Sequence, residues 1–395
     1  MSQGFRRQLT FNTISTLSLG LVSLLSIPLI INNLSLSEWV TVATCQAIGA
    51  IASIIVALGW NLTGSKRISQ THRSVIHAHY TRSIILQFLM LSVLSCIAYI
   101  AIVNTYIGST SLYFLSFLST AIVGLRANWL YLGLAASDEL FKRETLPRIT
   151  TNIIGCIILV EYGFVSLFFL FQILGFVLSV IFTYTWSRGY STVKRISGQI
   201  NKKSILTDLL ISIPQFLYTF ASFLPLFIVQ SESAVNAAIL ALLLRLRIQF
   251  MTLISPVLDS LISKKLMTQT KNLDGRRLKK ILDFNSLLPL TFIIFPIFVL
   301  LMGKFVEHSN LKVPFYQIVL FTFYVAFNIC LSFINSTQNS SNFNMRDMSI
   351  PIAGVLINSF GIIFGYHALQ LTGTIFMMVL SQIVMLILKF RLIRK

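Results

Sequence analysis

The chain has 395 residues, of which 55% are hydrophobic and only 11% charged, and its mean hydropathy is +0.81. A soluble domain carries about 25% charged residues, so an ordinary soluble enzyme is excluded. The formal net charge of +19 would suggest nucleic acid in a soluble protein. In so apolar a chain it is read first as loop charge that orients membrane helices.

Met1–Arg7 reads as a basic lead-in to the first apolar run rather than a cleavable signal. Twelve spans are expected, each of about 20 residues. They are Leu9–Ile31, Trp39–Trp60, Ser83–Val103, Leu112–Leu134, Thr150–Tyr162, Phe164–Tyr184, Ile205–Val229, Val235–Val257, Phe284–Met302, Val313–Ile334, Ile350–Ala368 and Leu371–Leu388. The fifth has the shortest apolar core, and its start is open to a position before Pro147.

Alternating these spans from a cytoplasmic N-terminus puts 26 of the 31 Lys and Arg in cytoplasmic segments. Only Lys304 and Lys312 fall on the opposite side, and Arg126, Arg245 and Arg247 fall inside spans. That asymmetry places both termini in the cytoplasm and makes a nucleic-acid partner unnecessary. The most basic stretch, Lys271–Lys280, is read as an orienting loop at the lipid surface. With all loops short, function is expected inside the helix bundle.

Few residues suggest chemistry. Cys45, Cys96, Cys156 and Cys330 all lie in apolar runs, so neither disulfide nor metal site is expected. No cofactor is expected, and there is no P-loop. His72, His77 and His79 are read as a solvated cytoplasmic loop.

The halves show a weak internal repeat. Ile27-Pro28-Leu29-Ile30 ends the first span and Leu224-Pro225-Leu226-Phe227 ends the seventh, the two prolines being 197 residues apart. Each is followed by a polar turn and an Ala-rich span. Six spans per half imply parallel repeats. The expected fold is therefore an all-α polytopic membrane protein. Two six-helix lobes, residues 1–197 and 198–395, would surround a central cationic cleft.

The buried arginines are the main functional candidates. A charged residue at the membrane centre costs about 2.5–3.5 kcal/mol on insertion scales. Arg245 lies too deep to snorkel readily, Arg247 is similarly deep, and Arg126 is nearer the cytoplasmic end. No acid is seen inside a span to offset them; Glu161, Asp208 and Asp259 sit near span ends. Two readings stand: an anion site, or arginines satisfied by water, carbonyls and a borderline carboxylate.

Arg245 and Arg247 are about 200° apart on a helix. Arg245 continues a polar line through Gln249, Thr252 and Pro256, whereas Arg247 is free to meet a neighbouring helix. The seventh span carries Asp208, Ser212, Gln215, Thr219 and Ser222 at spacings 4, 3, 4, 3, together with Pro214 and Pro225. Asn12, Thr16, Gly20 and Ser23 make a similar stripe in the first span. Such stripes either line a cleft or glue helices together. Pro28, Pro214 and Pro225 are candidate hinge or gate positions.

One segment resembles a known family. It comprises Ile27–Ile31, Leu34-Ser35-Leu36-Ser37-Glu38-Trp39, and the element Gly59-x-Asn61-x-Thr63-Gly64-x-x-x-Ile68. Together these look like the start of polysaccharide repeat-unit flippases, the O-antigen (Wzx-type) exporters of the multidrug/oligosaccharidyl-lipid/polysaccharide superfamily. The resemblance implies a substrate carried on undecaprenyl pyrophosphate and moved from the cytoplasmic to the periplasmic leaflet by alternating access. It implies a cell (inner) membrane location, contact with membrane lipids, and work beside other polysaccharide-assembly membrane proteins. No arginine lies between Asn12 and Ser26, where some relatives carry one, so a coupling ion is left unassigned. The alternatives are a multidrug or metabolite exporter of the same fold, which would favour an acidic lumen, and a membrane glycosyltransferase or polymerase, which would need a catalytic carboxylate or a large exterior loop.

Overall fold

The computed structural model describes residues 3–106, 109–190, 202–267, 299–300, 303–304, 313–338 and 349–394. Among these residues every regular element is helical. Among the described residues eight helices are long and apolar enough to cross a membrane, and Phe315–Leu331 is a shorter apolar one. The chain is a multi-pass membrane protein. It divides into two compact units, Met1–Thr219 and Phe220–Lys395. The lobe boundary expected at 197/198 lies outside the described residues, as does nearly all of the expected ninth span.

In the first unit, α1 (Gln3–Asn32) carries Pro28 within it. Ser35 then starts α2 (Leu36–Ala57) with a capping box: its hydroxyl accepts from the Glu38 amide, and the Glu38 carboxylate accepts from the Ser35 amide. The expected second span ended at Trp60, but α2 stops earlier. Leu58 (φ 49°) and Gly59 (φ 71°) are left-handed and turn the chain into α3 (Trp60–Gln70). The resemblance motif thus describes a bend. Gly59 supplies the turn, Gly64 lets the Trp129 ring approach to where a Cβ would stand, and Ile68 is buried against Gly133.

The expected third span starts earlier than its apolar core, as α4 (Ile76–Thr105). His77 and His79 therefore lie in a helix, whereas His72 stays exposed in the loop ahead of it. His77 lies in the first turn of α4, with its Nδ1 2.8 Å from the Ser187 hydroxyl. His72 caps a short 3-10 turn. One side of α4 carries Ile85, Phe88, Leu89, Val93, Ile97 and Ile100, all exposed, as a lipid-facing surface requires.

The fourth span is not one helix. It comprises α5 (Thr110–Ala121), a 3-10 turn at Ile122–Leu125, an extended Arg126 and α6 (Asn128–Gly133). α5 packs on α2 because glycines face it: a Cβ on Gly49 would lie 2.4 Å from the Phe117 carbonyl, and one on Gly124 2.5 Å from that of Ser53. The Thr120 hydroxyl donates to the Gln46 carbonyl across the same seam at 3.1 Å. After α7 (Ser137–Leu140) a five-residue π-helical turn, Phe141–Thr145, leads into α8 (Leu146–Tyr162). The fifth span thus does begin before Pro147, which occupies its first turn, where a missing N–H costs nothing. Left-handed Gly163 ends α8 and leads to α9 (Val165–Ser187).

α10 (Lys202–Glu232) spans 31 residues beside the 30 of α1, and α11 (Ala234–Met267) follows it at once. Ala237, Ala238 and Ala241 are buried on α11. α12 (Phe315–Gln338) corresponds to the tenth expected span. α13 (Ser349–Arg394) is a helical hairpin broken at Leu369 and Gln370, so the two expected spans ending at Ala368 and starting at Leu371 are its arms. Gly365 and Gly373 face each other so closely that a Cβ on Gly373 would lie 1.9 Å from the Gly365 carbonyl oxygen.

Candidate functional site

The second unit holds a polar chain through its interior. Arg247 lies thirteen residues into α11, about 20 Å along the helix from Ala234. Its Nη2 donates to the Ser222 hydroxyl of α10 at 3.3 Å and to the Asn328 Oδ1 of α12 at 3.1 Å. Asn328 in turn donates to Gln382 Oε1, on the second arm of α13, at 3.3 Å. The guanidinium carbon stands 5.1 Å from the centre of the Tyr324 ring, a cation–π arrangement. Gln382 is 2% exposed. The chain thus joins α10, α11, α12 and α13. Beside it Asn358 donates to the Ala221 carbonyl at 2.9 Å.

All these partners are neutral. Glu232, exposed at the end of α10, is the one acid of this unit whose side chain is described. Among the described residues, then, hydrogen bonds and a ring, and no acid, surround Arg247. Its Nε, the Tyr324 hydroxyl and Asn358 Oδ1 are buried with no hydrogen-bond partner. Arg247 does contact neighbouring helices, through Ser222 of α10 and Asn328 of α12. Ser222, the last member of the seventh-span stripe, is one of those contacts, so at this point the stripe joins helices. Arg245 is half-buried two residues away.

The remaining stripe residues divide. Ser212 is buried, Thr16, Thr219 and Gln249 are half-buried, and Gln215 is exposed. Asn12, Thr252 and Pro256 lie in described helices, but their side chains fall outside the described residues. Pro214 and Pro225 both lie within α10, and Pro28 within α1.

Arg126 belongs to the first unit, at the break between α5 and α6. The sequence offered it no acid inside a span, yet the structure supplies one. Its Nε donates to Glu144 Oε1 at 2.9 Å, and Arg148 Nη1 reaches the same oxygen at 3.4 Å. Glu144 is 2% exposed. In the sequence Arg148 counts among the cytoplasmic positive charges, and Glu144 has no assigned role. The π turn swings the carboxylate inward, where Ser179 of α9 donates to the Glu144 carbonyl at 3.0 Å. The Tyr131 and Thr183 hydroxyls, 2.8 Å apart, tie α6 to α9. Asn328 and Gln382 were also missed; the available signal was an amide set deep in an apolar span, alone in the case of Gln382. Among the described residues no group of His, Cys, Asp or Glu could hold a metal.

No protein-family model and no curated protein matches the chain. Solved structures do. An outward-facing multidrug-resistance MATE-family transporter of the MOP superfamily matches with TM-score 0.63 at 14% identity, over 100% of this chain and 98% of that one. An inward-facing structure of such a transporter matches with TM-score 0.52 at 14% identity, over 100% and 94%. A MOP-superfamily transporter from Pyrococcus furiosus, described as having a binding pocket of reverse polarity that suggests a different function, matches with TM-score 0.59 at 15% identity, over 100% and 98%. The chain therefore has the two-lobed MATE transporter fold.

Proposed function

We propose that the chain is a transporter rather than an enzyme. In this reading it is a flippase that carries an undecaprenyl-pyrophosphate-linked oligosaccharide, an O-antigen or capsule repeat unit, across the bacterial inner membrane by alternating access. Both termini would be cytoplasmic. The observation that carries the reading is Arg247, a guanidinium deep in α11 whose hydrogen-bond partners, Ser222 and Asn328, are both neutral. A membrane protein that keeps an uncompensated cation at this depth favours an anion there. A pyrophosphate group matches the guanidinium fork. Arg245, two residues away on the opposite side of the same helix, carries a second charge, and the first unit has a candidate anion contact of its own in Arg126. The stripes on α1 and α10 supply polar contacts for sugars, and Pro28, Pro214 and Pro225 the places where those helices bend.

The test is surface glycan in a strain that depends on this chain, scored at equal protein level. Arg247→Gln and Arg245→Gln should each abolish it. Full glycan in both variants would contradict the anion site.

A multidrug exporter is the second reading, because the matching structures include multidrug-resistance MATE transporters. It predicts ethidium efflux that survives Arg247→Gln. Wild-type protein that fails to export ethidium would count against it.

A further inference from the structure

The first unit contains an ion cluster whose hydrogen bonding is incomplete. Two guanidiniums, of Arg126 and Arg148, share the single oxygen Oε1 of Glu144. The other oxygen, Oε2, is buried and accepts nothing, and the buried Nε of Arg148 donates to nothing. The cluster therefore has one positive charge in excess, one unused acceptor and one unused donor. A buried ion pair kept only for stability requires filled hydrogen bonds as well as good geometry; here Arg126 Nε meets Oε1 at 2.9 Å, but Oε2 and the Arg148 Nε are left unfilled. Its members also differ in access: the Arg126 side chain is 30% exposed, that of Arg148 12% and that of Glu144 3%. The reachable arginine is the one held by the unreachable acid.

We infer that Glu144 is an internal counter-anion that occupies Arg126 in the unloaded protein and yields it to a phosphate group of the substrate. The inference rests on the anionic-substrate reading above. On exchange the acid is not stranded, because Arg148, four residues along α8, remains with it as a neutral pair. Arg148 is itself fixed by the Phe176 ring 4.0 Å beneath it. The freed Arg126 presents its whole fork to phosphate oxygens. Arg126 is also the extended residue between the 3-10 turn and α6. A change of partner there acts directly on the joint of a broken helix, and the π turn that delivers Glu144 is a form common at functional sites.

Binding of inorganic pyrophosphate to the purified full chain, measured by calorimetry, tests this. Removing the internal competitor should tighten binding, so Glu144→Gln should bind pyrophosphate roughly tenfold more strongly than wild type. Glu144→Asp keeps the charge but is one methylene too short to hold Arg126. It should bind several-fold more strongly, and it serves as the second variant should the glutamine variant not fold. Arg126→Gln should lose the gain in either background. Unchanged or weaker binding in the folded Glu144 variants would overturn the inference, as would a gain that persists without Arg126. Surface glycan in Arg247→Gln is scored separately. Its loss together with unchanged pyrophosphate affinity in Glu144→Gln would remove the counter-anion and leave the anionic-substrate reading standing.

Discussion

Arg247 and Arg126 show what a sequence can and cannot say about a buried charge. That both lie inside apolar spans is legible, because span depth follows from counting residues. Their partners are not, because Asn328 lies 81 residues and Glu144 18 residues away, and no spacing rule connects them. The outcome for the two is opposite: one arginine is offset by an acid and the other is solvated by an amide, a hydroxyl and a ring. That contrast gives a sharp prediction. Asn328→Asp is nearly isosteric and places a carboxylate where Oδ1 now stands 3.1 Å from Arg247. It should preserve or raise the thermal midpoint while abolishing transport, since the free charge is gone. Asn328→Ala should instead cost about 1–3 kcal/mol of stability, the usual penalty for orphaning a buried hydrogen-bonded group. A fully active Asn328→Asp protein would show that the charge of Arg247 has no part in transport.

At the scale of elements, the apolar runs predicted the helices well wherever a helix is continuous. The arms of α13 were separated at the right place because Gly373 and the polar Gln370 interrupt the run. The fourth span lies where it was expected, over Thr110–Gly133, but the apolar run does not reveal the 3-10 turn at Ile122–Leu125 inside it. The Gly59–Ile68 motif was read through family likeness, and its physical content, a left-handed turn and two close glycine contacts, emerged only with α3 and α6 in place. Helix packing here depends on such glycines. Gly49→Ala would drive a methyl to 2.0 Å from the Thr120 hydroxyl, and Gly373→Ala would push apart the arms of α13. Each should lose about 1–3 kcal/mol, the range for overpacking. Denaturation in detergent would measure it, against Gly189→Ala as control, where nothing lies within 4 Å. Equal stability in all three would mean the helices can separate at no cost.

For the whole molecule, composition and charge asymmetry dictate a multi-pass membrane protein, and the fold is that of MATE transporters. Neither of these names the cargo, because one architecture serves different substrates and the selectivity lies in a few side chains. Topology follows from the charge split: reporter fusions after Leu36 and Lys304 should sit in the periplasm and one after Arg276 in the cytoplasm. The opposite result at two of these sites would contradict the twelve-span order. The central claim, transport of a pyrophosphate-linked glycan on a buried arginine, is tested most directly in proteoliposomes containing a fluorescent undecaprenyl-pyrophosphate oligosaccharide. Accessibility of the label to an added quencher or glycosidase reports its leaflet. Wild-type protein should move the lipid between leaflets, and Arg247→Gln should slow this by at least about tenfold, equivalent to about 1.4 kcal/mol. Equal rates for Arg247→Gln and wild type, or no movement by wild type while ethidium is exported, would contradict the account.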